Sequence, residues 1–389
     1  MTISKTKYCV YGSVTAVALS VTAIANAATL GSFDDTTVTV GGYVKLDAML
    51  SDYSDGSMGT NIGRDFYVPS LTPVGANSQN QNVDFHARQT RFNLGTSTDL
   101  EGHTLKTFIE MDFMATAGGD ERITNSYTPR LRHAFITYDK WLFGQTWTTF
   151  QNTAALPDTV DFIGNTDFGI FVRQPQIRYT TGAWQFSMEN PESTILLNDT
   201  GAREITDDNE LPDFVARYNI STDRLQLSIA GLARQLSYND GNTIDTTETS
   251  YGLSVSGKYL IGEDDIRFGV NYGSGMGRYI GLNVSNGGVL NADNEIEAID
   301  STAFYLAYRH VWNTKMRSSI TYSTIEIDND TALTGLGATS MTDSIRLNFF
   351  YSPVSKLDLG FEVTQATREL ESNADGSMTR FQFGAKLSF

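Results

Sequence analysis

The sequence predicts an all-β fold, a transmembrane antiparallel β-barrel of sixteen strands with a long third loop folded into its pore. Three observations carry that reading. Apolar and polar side chains alternate with a period of two along sixteen segments, and the connections between segments are short and long by turns. Aromatic residues are frequent (22 Phe, 18 Tyr and 4 Trp in 389 residues) although the mean hydropathy is only −0.24. Beyond the N-terminus no stretch approaches the ~20 apolar residues of a membrane-crossing helix.

The N-terminus reads as an export signal. Lys5 and Lys7 supply a positive start, Val10 to Ile24 a mostly apolar run, and Ala25, Asn26 and Ala27 a small-residue cleavage site. Residues 1–27 are therefore expected to be removed, leaving 28–389 as one barrel domain. Cys9, the single cysteine, lies in the removed segment, which excludes disulfides, zinc–thiolate sites and a cysteine nucleophile from the exported chain. The leader carries two lysines and no acid, so its loss takes the formal charge from −17 to −19. A chain of that sign is not built for nucleic acid.

The first strand shows Val40, Gly42, Val44, Leu46 and Ala48 against Gly41, Tyr43, Lys45, Asp47 and Met49. The last shows Phe381, Phe383, Ala385, Leu387 and Phe389 against Arg380, Gln382, Gly384, Lys386 and Ser388. Between them the alternation recurs over 85–97, 103–114, 130–138, 140–149, 173–181, 183–190, 213–221, 224–237, 250–260, 264–279, 300–311, 315–327, 341–352 and 355–369. Short turns fall near Thr98 to Gly102, Asp139, Thr181, Thr222, Gly262, Asn313 and Pro353. Long connections occupy 51–84, 115–129, 150–172, 191–212, 238–249, 280–299 and 328–340. An even strand number with turns at one end and loops at the other is the outer-membrane pattern. Such a sheet must close, because hydrocarbon offers an unpaired edge no partner. A soluble sandwich also alternates, but it gives no reason for turns and loops to take turns so regularly.

If the apolar row of each strand meets lipid, the other row lines the lumen. Parity then assigns fifteen basic residues to the wall: Lys45, Arg91, Lys106, Arg130, Arg132, Arg178, Arg217, Arg234, Lys258, Arg267, Arg309, Arg317, Arg346, Arg380 and Lys386. Six acids join them, namely Asp47, Glu110, Asp112, Glu189, Asp358 and Glu362. The remaining negative charge falls largely in the long loops, as at Asp207, Asp208, Glu210, Asp293, Glu295 and Glu297. A cationic passage under an acidic rim would concentrate anions. A cation-preferring or non-selective pore stays open at this stage.

Several runs resemble the DcaP-type porins, which are trimeric outer-membrane channels for dicarboxylates and other small anions. They are Gly42 to Asp47, Phe85 to Arg91, Arg130 to Ala134, Gly144 to Trp147, Phe171 to Tyr179 and Glu189 to Glu192. The C-terminal half matches mainly in its strand pattern, and with about ten residues between Ala28 and Val38 the long helical extension that some members carry before the first strand is not expected here. The resemblance implies a homotrimer in contact with outer-membrane lipid and lipopolysaccharide, with Phe150 to Val172 bending inward as the constriction loop. Asp158, Asp161 and Asp167 would be its acids. Arg91, Arg130, Arg132 and Arg178 would face them, Arg173 would sit at the loop's exit, and Lys106 and Arg217 would extend the basic lining. A guanidinium fork fits a carboxylate, so spaced arginines could hand a dicarboxylate along.

No cofactor or metal is expected. His86, His103, His133 and His310 are scattered without ligand spacing, and Gly273 to Gly277 has no following helix to cradle phosphate. The acidic loop pairs show no calcium-loop spacing. A barrel enzyme would need a nucleophile, base and acid at one height, for which His133 and His310 have no evident companions. A plugged structural barrel is the third class. Trp141, Trp184 and Trp312 lie beside the short turns, where an interfacial aromatic girdle belongs.

Overall fold

The computed structural model describes residues 28–116, 123–197 and 201–389. The leader expected over residues 1–27 lies outside the described residues. Sixteen antiparallel strands form the wall: β1 (Thr36–Tyr53), β2 (Asn80–His86 continued by Arg91–Leu100), β3 (His103–Asp112), β4 (Arg130–Tyr138), β5 (Trp141–Trp147), β6 (Arg173–Thr181), β7 (Trp184–Glu189) and β8 (Asp213–Ser221). They continue as β9 (Leu225–Asn239), β10 (Asp245–Ile261), β11 (Asp264–Ser274), β12 (Asp300–Asn313), β13 (Met316–Asp328), β14 (Thr339–Tyr351), β15 (Leu357–Leu370) and β16 (Asp375–Ser388). Each pairs with its neighbour in sequence. Tyr43 to Tyr53 of β1 then meets Ser388 to Met378 of β16, which closes the ring.

Burial runs opposite to a soluble protein. On β16, Phe381, Phe383 and Leu387 are 43%, 42% and 52% exposed, whereas Arg380 and Gln382 are 1% and 2% exposed. The apolar row therefore faces outward, toward lipid, and the polar row inward. Trp141, Trp184 and Trp312 stand exposed on that outer face next to the short turns.

Four departures from simple alternation have local causes. β2 is interrupted by a turn in which the Thr90 N–H donates to the Ala87 carbonyl. Phe85 and Arg91 share parity, and the interruption is what lets Phe85 point out while Arg91 points in. In β4, both Arg132 and His133 lie inward, because the register slips between Glu110 and Met111 of β3. The segment expected over 264–279 stops at Ser274, since Gly275 and Gly277 adopt positive φ and lead into a short 3-10 turn, Gly277–Tyr279. Ahead of β1, Ala28–Phe33 folds back in a hairpin on Thr36 to Val40, through a turn with Asp34 at φ 50°.

The long connections are not bare. Ser193–Leu197, Arg203–Thr206, Gly288–Leu290 and Ile296–Ala298 form a separate four-stranded sheet that joins two of them, packed through Ile195, Leu236, Leu290 and Ile296. Pieces this short display no readable alternation, so they pass for loop. The largest buried apolar cluster lies inside the ring, where Phe150, Ala155, Phe168 and Ile170 of the third loop meet Tyr279, Ile280 and Tyr305.

Candidate functional site: the lumen and its constriction loop

The third loop leaves β5 at Trp147, crosses the lumen and returns at Arg173. Its backbone is stitched to the wall along the way. The Asn152 amide donates to the Ser256 carbonyl of β10 (3.1 Å), while Arg267 of β11 and the Tyr305 hydroxyl of β12 donate to the carbonyls of Leu156 and Ala155. Farther on, the Asn348 amide donates to the Asp158 carbonyl (2.8 Å), Glu362 accepts the N–H groups of Val160 (2.9 Å) and Asp161 (3.3 Å), and Lys45 donates to the Val160 carbonyl (2.7 Å). Those contacts reach from β10 round to β1. They satisfy backbone groups that the aqueous core would otherwise have to solvate.

Asp167 fixes the second half of the loop. Its carboxylate accepts hydrogen bonds from the hydroxyls of Tyr67 (2.8 Å), Ser323 (2.8 Å), Thr342 (2.8 Å) and Ser344. Tyr67 belongs to the first long connection, so one carboxylate ties two inward-folded loops to β13 and β14. Burial, and next the charge of Asp167, hold the Tyr67 hydroxyl well above its ordinary pKa.

The basic residues divide into two groups. Arg91, Arg130 and Arg132 converge on Glu110 and Asp112: Arg130 grips Asp112 through two bonds of 2.9 Å, and Arg132 bonds Glu110 (2.8 Å) and Asp112 (3.0 Å). Arg91 stands 3.5 and 3.8 Å from the same two acids. Arg173 lies over the Trp147 and Phe171 rings, 4.5 and 5.0 Å from their centroids, within electrostatic range of Arg130 and Arg132, and its buried Nη1 has no hydrogen-bond partner among the described residues. Four guanidinium groups thus share two carboxylates. Phe162 of the loop faces them, 5.8 and 5.7 Å from Arg130 and Arg132.

Arg178 and Arg217 form the other group. Arg178 donates to the Gln176 amide oxygen (3.0 Å) and to the Trp147 carbonyl, and Arg217 to the carbonyls of Thr149 (3.3 Å) and Gln151. Both brace the root of the loop. Lys106 is exposed and points into the lumen two positions from Phe108 and four from Glu110, about 13 Å along the strand toward the short turns.

The loop acids stand elsewhere than the expected ring of arginines around them. Asp158 pairs with Arg317 at 2.6 Å, Asp161 accepts the Tyr67 N–H at 3.4 Å, and Asp167 is enclosed by hydroxyls. All three turn toward other parts of the wall and toward the first loop, while the arginine cluster on β2 to β4 faces Phe162. The parity count also missed two lumen carboxylates, Asp213 and Asp265, which are fully buried. Both lie at or next to a strand's first residue, where flanking turns hide the alternation. Asp213 receives the Tyr279 hydroxyl (2.8 Å) with Arg234 and Arg278 each 3.4 Å away, and Asp265 holds Arg267 and Arg309.

Comparisons with known proteins agree with this architecture. Among solved structures, the outer membrane channel DcaP of Acinetobacter baumannii superposes with a TM-score of 0.78 at 24% identity, covering 93% of this chain and 100% of that one. In-vitro folded OmpT of Vibrio cholerae in its trimer form gives 0.54 at 13% identity (90% and 99% covered). Salmonella typhi OmpF in complex with daunomycin gives 0.53 at 11% identity (92% and 99%). At these identities the likeness is one of fold. No curated protein sequence matches. The family profile of the DcaP outer membrane proteins does match, over residues 8–389, and this chain, a porin-type barrel of the outer membrane, belongs to that family.

Proposed function

We propose that the chain is a passive channel preferring small anions such as dicarboxylates, which pass a constriction between the third loop and the arginines of β2 to β4 and β6. The observation that carries this reading is the surplus of positive charge there. Among the described residues, Arg91, Arg130, Arg132 and Arg173 face two carboxylates, Glu110 and Asp112, beside an aromatic floor of Phe162 and Phe171. Guanidinium groups present planar donor forks to carboxylates and remain charged at every physiological pH. In a narrow water-filled passage between low-dielectric walls, a net surplus of two charges raises the local anion concentration.

The loop acids stand apart from this cluster, since Asp158 pairs with Arg317, Asp161 accepts the Tyr67 N–H and Asp167 is enclosed by hydroxyls of β13, β14 and the first loop, so Glu110 and Asp112 set the local balance. Assembly as a homotrimer is supported by family membership and by the trimeric form of the OmpT barrel. Reversal potential in planar bilayers under a salt gradient tests the reading. Anion preference supports it. Cation preference, which the acidic outer loops would favour if they governed entry, overturns it.

A further inference from the structure

We propose a second anion-binding station, formed by Lys258, Arg267 and Arg309, on the short-turn side of the constriction loop. It rests on the anion-channel reading and adds a site for small dianions. Lys258 of β10 is paired across the ladder with Arg267 of β11, and Asp265 of β11 with Arg309 of β12. Two cations directly opposite one another on one face repel, an arrangement that weakens a sheet. Asp265 relieves only part of it. Its carboxylate binds Arg267 through bonds of 2.7 and 3.2 Å and lies 2.7 Å from Arg309. Three cations are therefore left with one carboxylate. The next charges along the wall are matched, since Arg317 and Lys386 meet Asp158 and Asp358.

The three cations differ in what they still offer a ligand. Arg267 is committed, because it also donates to the Leu156 carbonyl and so holds the constriction loop directly above. Lys258 is half-buried, lies within electrostatic reach of Arg267 and Arg309, and has no hydrogen bond or ion pair among the described residues. Arg309 keeps a side chain 28% exposed, and among the described residues its one ion pair is from Nη2 to Asp265, which leaves Nη1 for a ligand. Lys258 and Arg309 thus present unused donors on either side of the Asp265–Arg267 pair. A molecule with two carboxylates, or one doubly charged phosphate ester, would supply the missing negative charge.

The test uses the full-length channel in planar bilayers with succinate as the probe, added to one compartment at a time and read as interruptions of the open current. The double variant Lys258→Gln with Arg309→Gln is compared with the charge-keeping double variant Lys258→Arg with Arg309→Lys. Removing two unit charges, each about 6 Å from one carboxylate of the bound dianion in a watery site, corresponds to roughly a ten-fold loss in association. That loss is expected at low salt from the short-turn side, with association from the loop side within two-fold and the charge-keeping variant restored. Unchanged association, an equal loss from both sides, or no interruptions from the short-turn side in the unmodified channel overturns the station. Unchanged association in a channel whose unmodified form prefers anions removes the station alone. Cation preference of the unmodified channel removes the underlying reading and the station with it.

Discussion

Replacing Asp167 by Ala would release the second half of the constriction loop. Four hydroxyls, from Tyr67, Ser323, Thr342 and Ser344, give their hydrogen bonds to this one buried carboxylate. Each bond to a charged acceptor contributes about 1.5 kcal/mol at the low end, so four would amount to about 6 kcal/mol if they were independent. They are not. Ser323 and Ser344 lie 3.2 Å apart and can bond each other, and Ser344 also receives Arg346 Nη1 at 2.9 Å. Roughly 3 kcal/mol is the more realistic loss, since bonds that share a network do not add. At 1.4 kcal/mol per factor of ten, that increases the population of the displaced loop about a hundred-fold. The early half stays held by Glu362, Lys45 and Arg317. Single-channel recording should then show an unchanged barrel with a noisier and larger open current. Open-current noise and conductance equal to those of the wild type would refute the assignment of Asp167 as the loop's latch.

Arg91→Gln combined with Arg173→Gln should shift the reversal potential toward the cation side, because it cancels the surplus of two charges at the constriction; an unmoved potential would exclude these groups from selectivity. Tyr67 has a folded-state pKa above that of the unfolded chain, so its contribution is complete below about pH 10 and falls above it by up to 1.4 kcal/mol per pH unit. Alkaline titration of current noise should show a rise above pH 10 that Tyr67→Phe removes. Gly144 has φ +126°, and a Cβ there would sit 2.3 Å from the Ala134 carbonyl oxygen. Gly144→Ala should therefore cost about 3 kcal/mol and reduce the yield of heat-modifiable folded barrel on gels.

Most of the wall was legible in the sequence because strand parity is a local property. Phe381, Phe383 and Leu387 declare the lipid face without reference to anything distant, and strand ends fall close to where the turn residues put them. Parity fails where one residue is added or a strand begins. The slip at Arg132 and His133 and the strand-start acids Asp213 and Asp265 are the examples. The anchoring of the loop was out of reach for a different reason. Asp167 meets its partners across 100 to 177 positions, and Val160 meets Glu362 across 202. No short-range pattern encodes which wall a loop acid will choose, so Asp158, Asp161 and Asp167 could be named as loop acids but not assigned their contacts.

The seam between β1 and β16 joins residues as far apart as Tyr43 and Ser388, 345 positions away. Until the last strand docks, the growing sheet carries two naked borders that an oily environment cannot satisfy. Zippering the perimeter must therefore coincide with membrane entry, and contacts of such remote partners are intrinsically slow to form. A truncation that removes the final strand should leave an export-competent chain stalled in the periplasm, where its open borders invite aggregation.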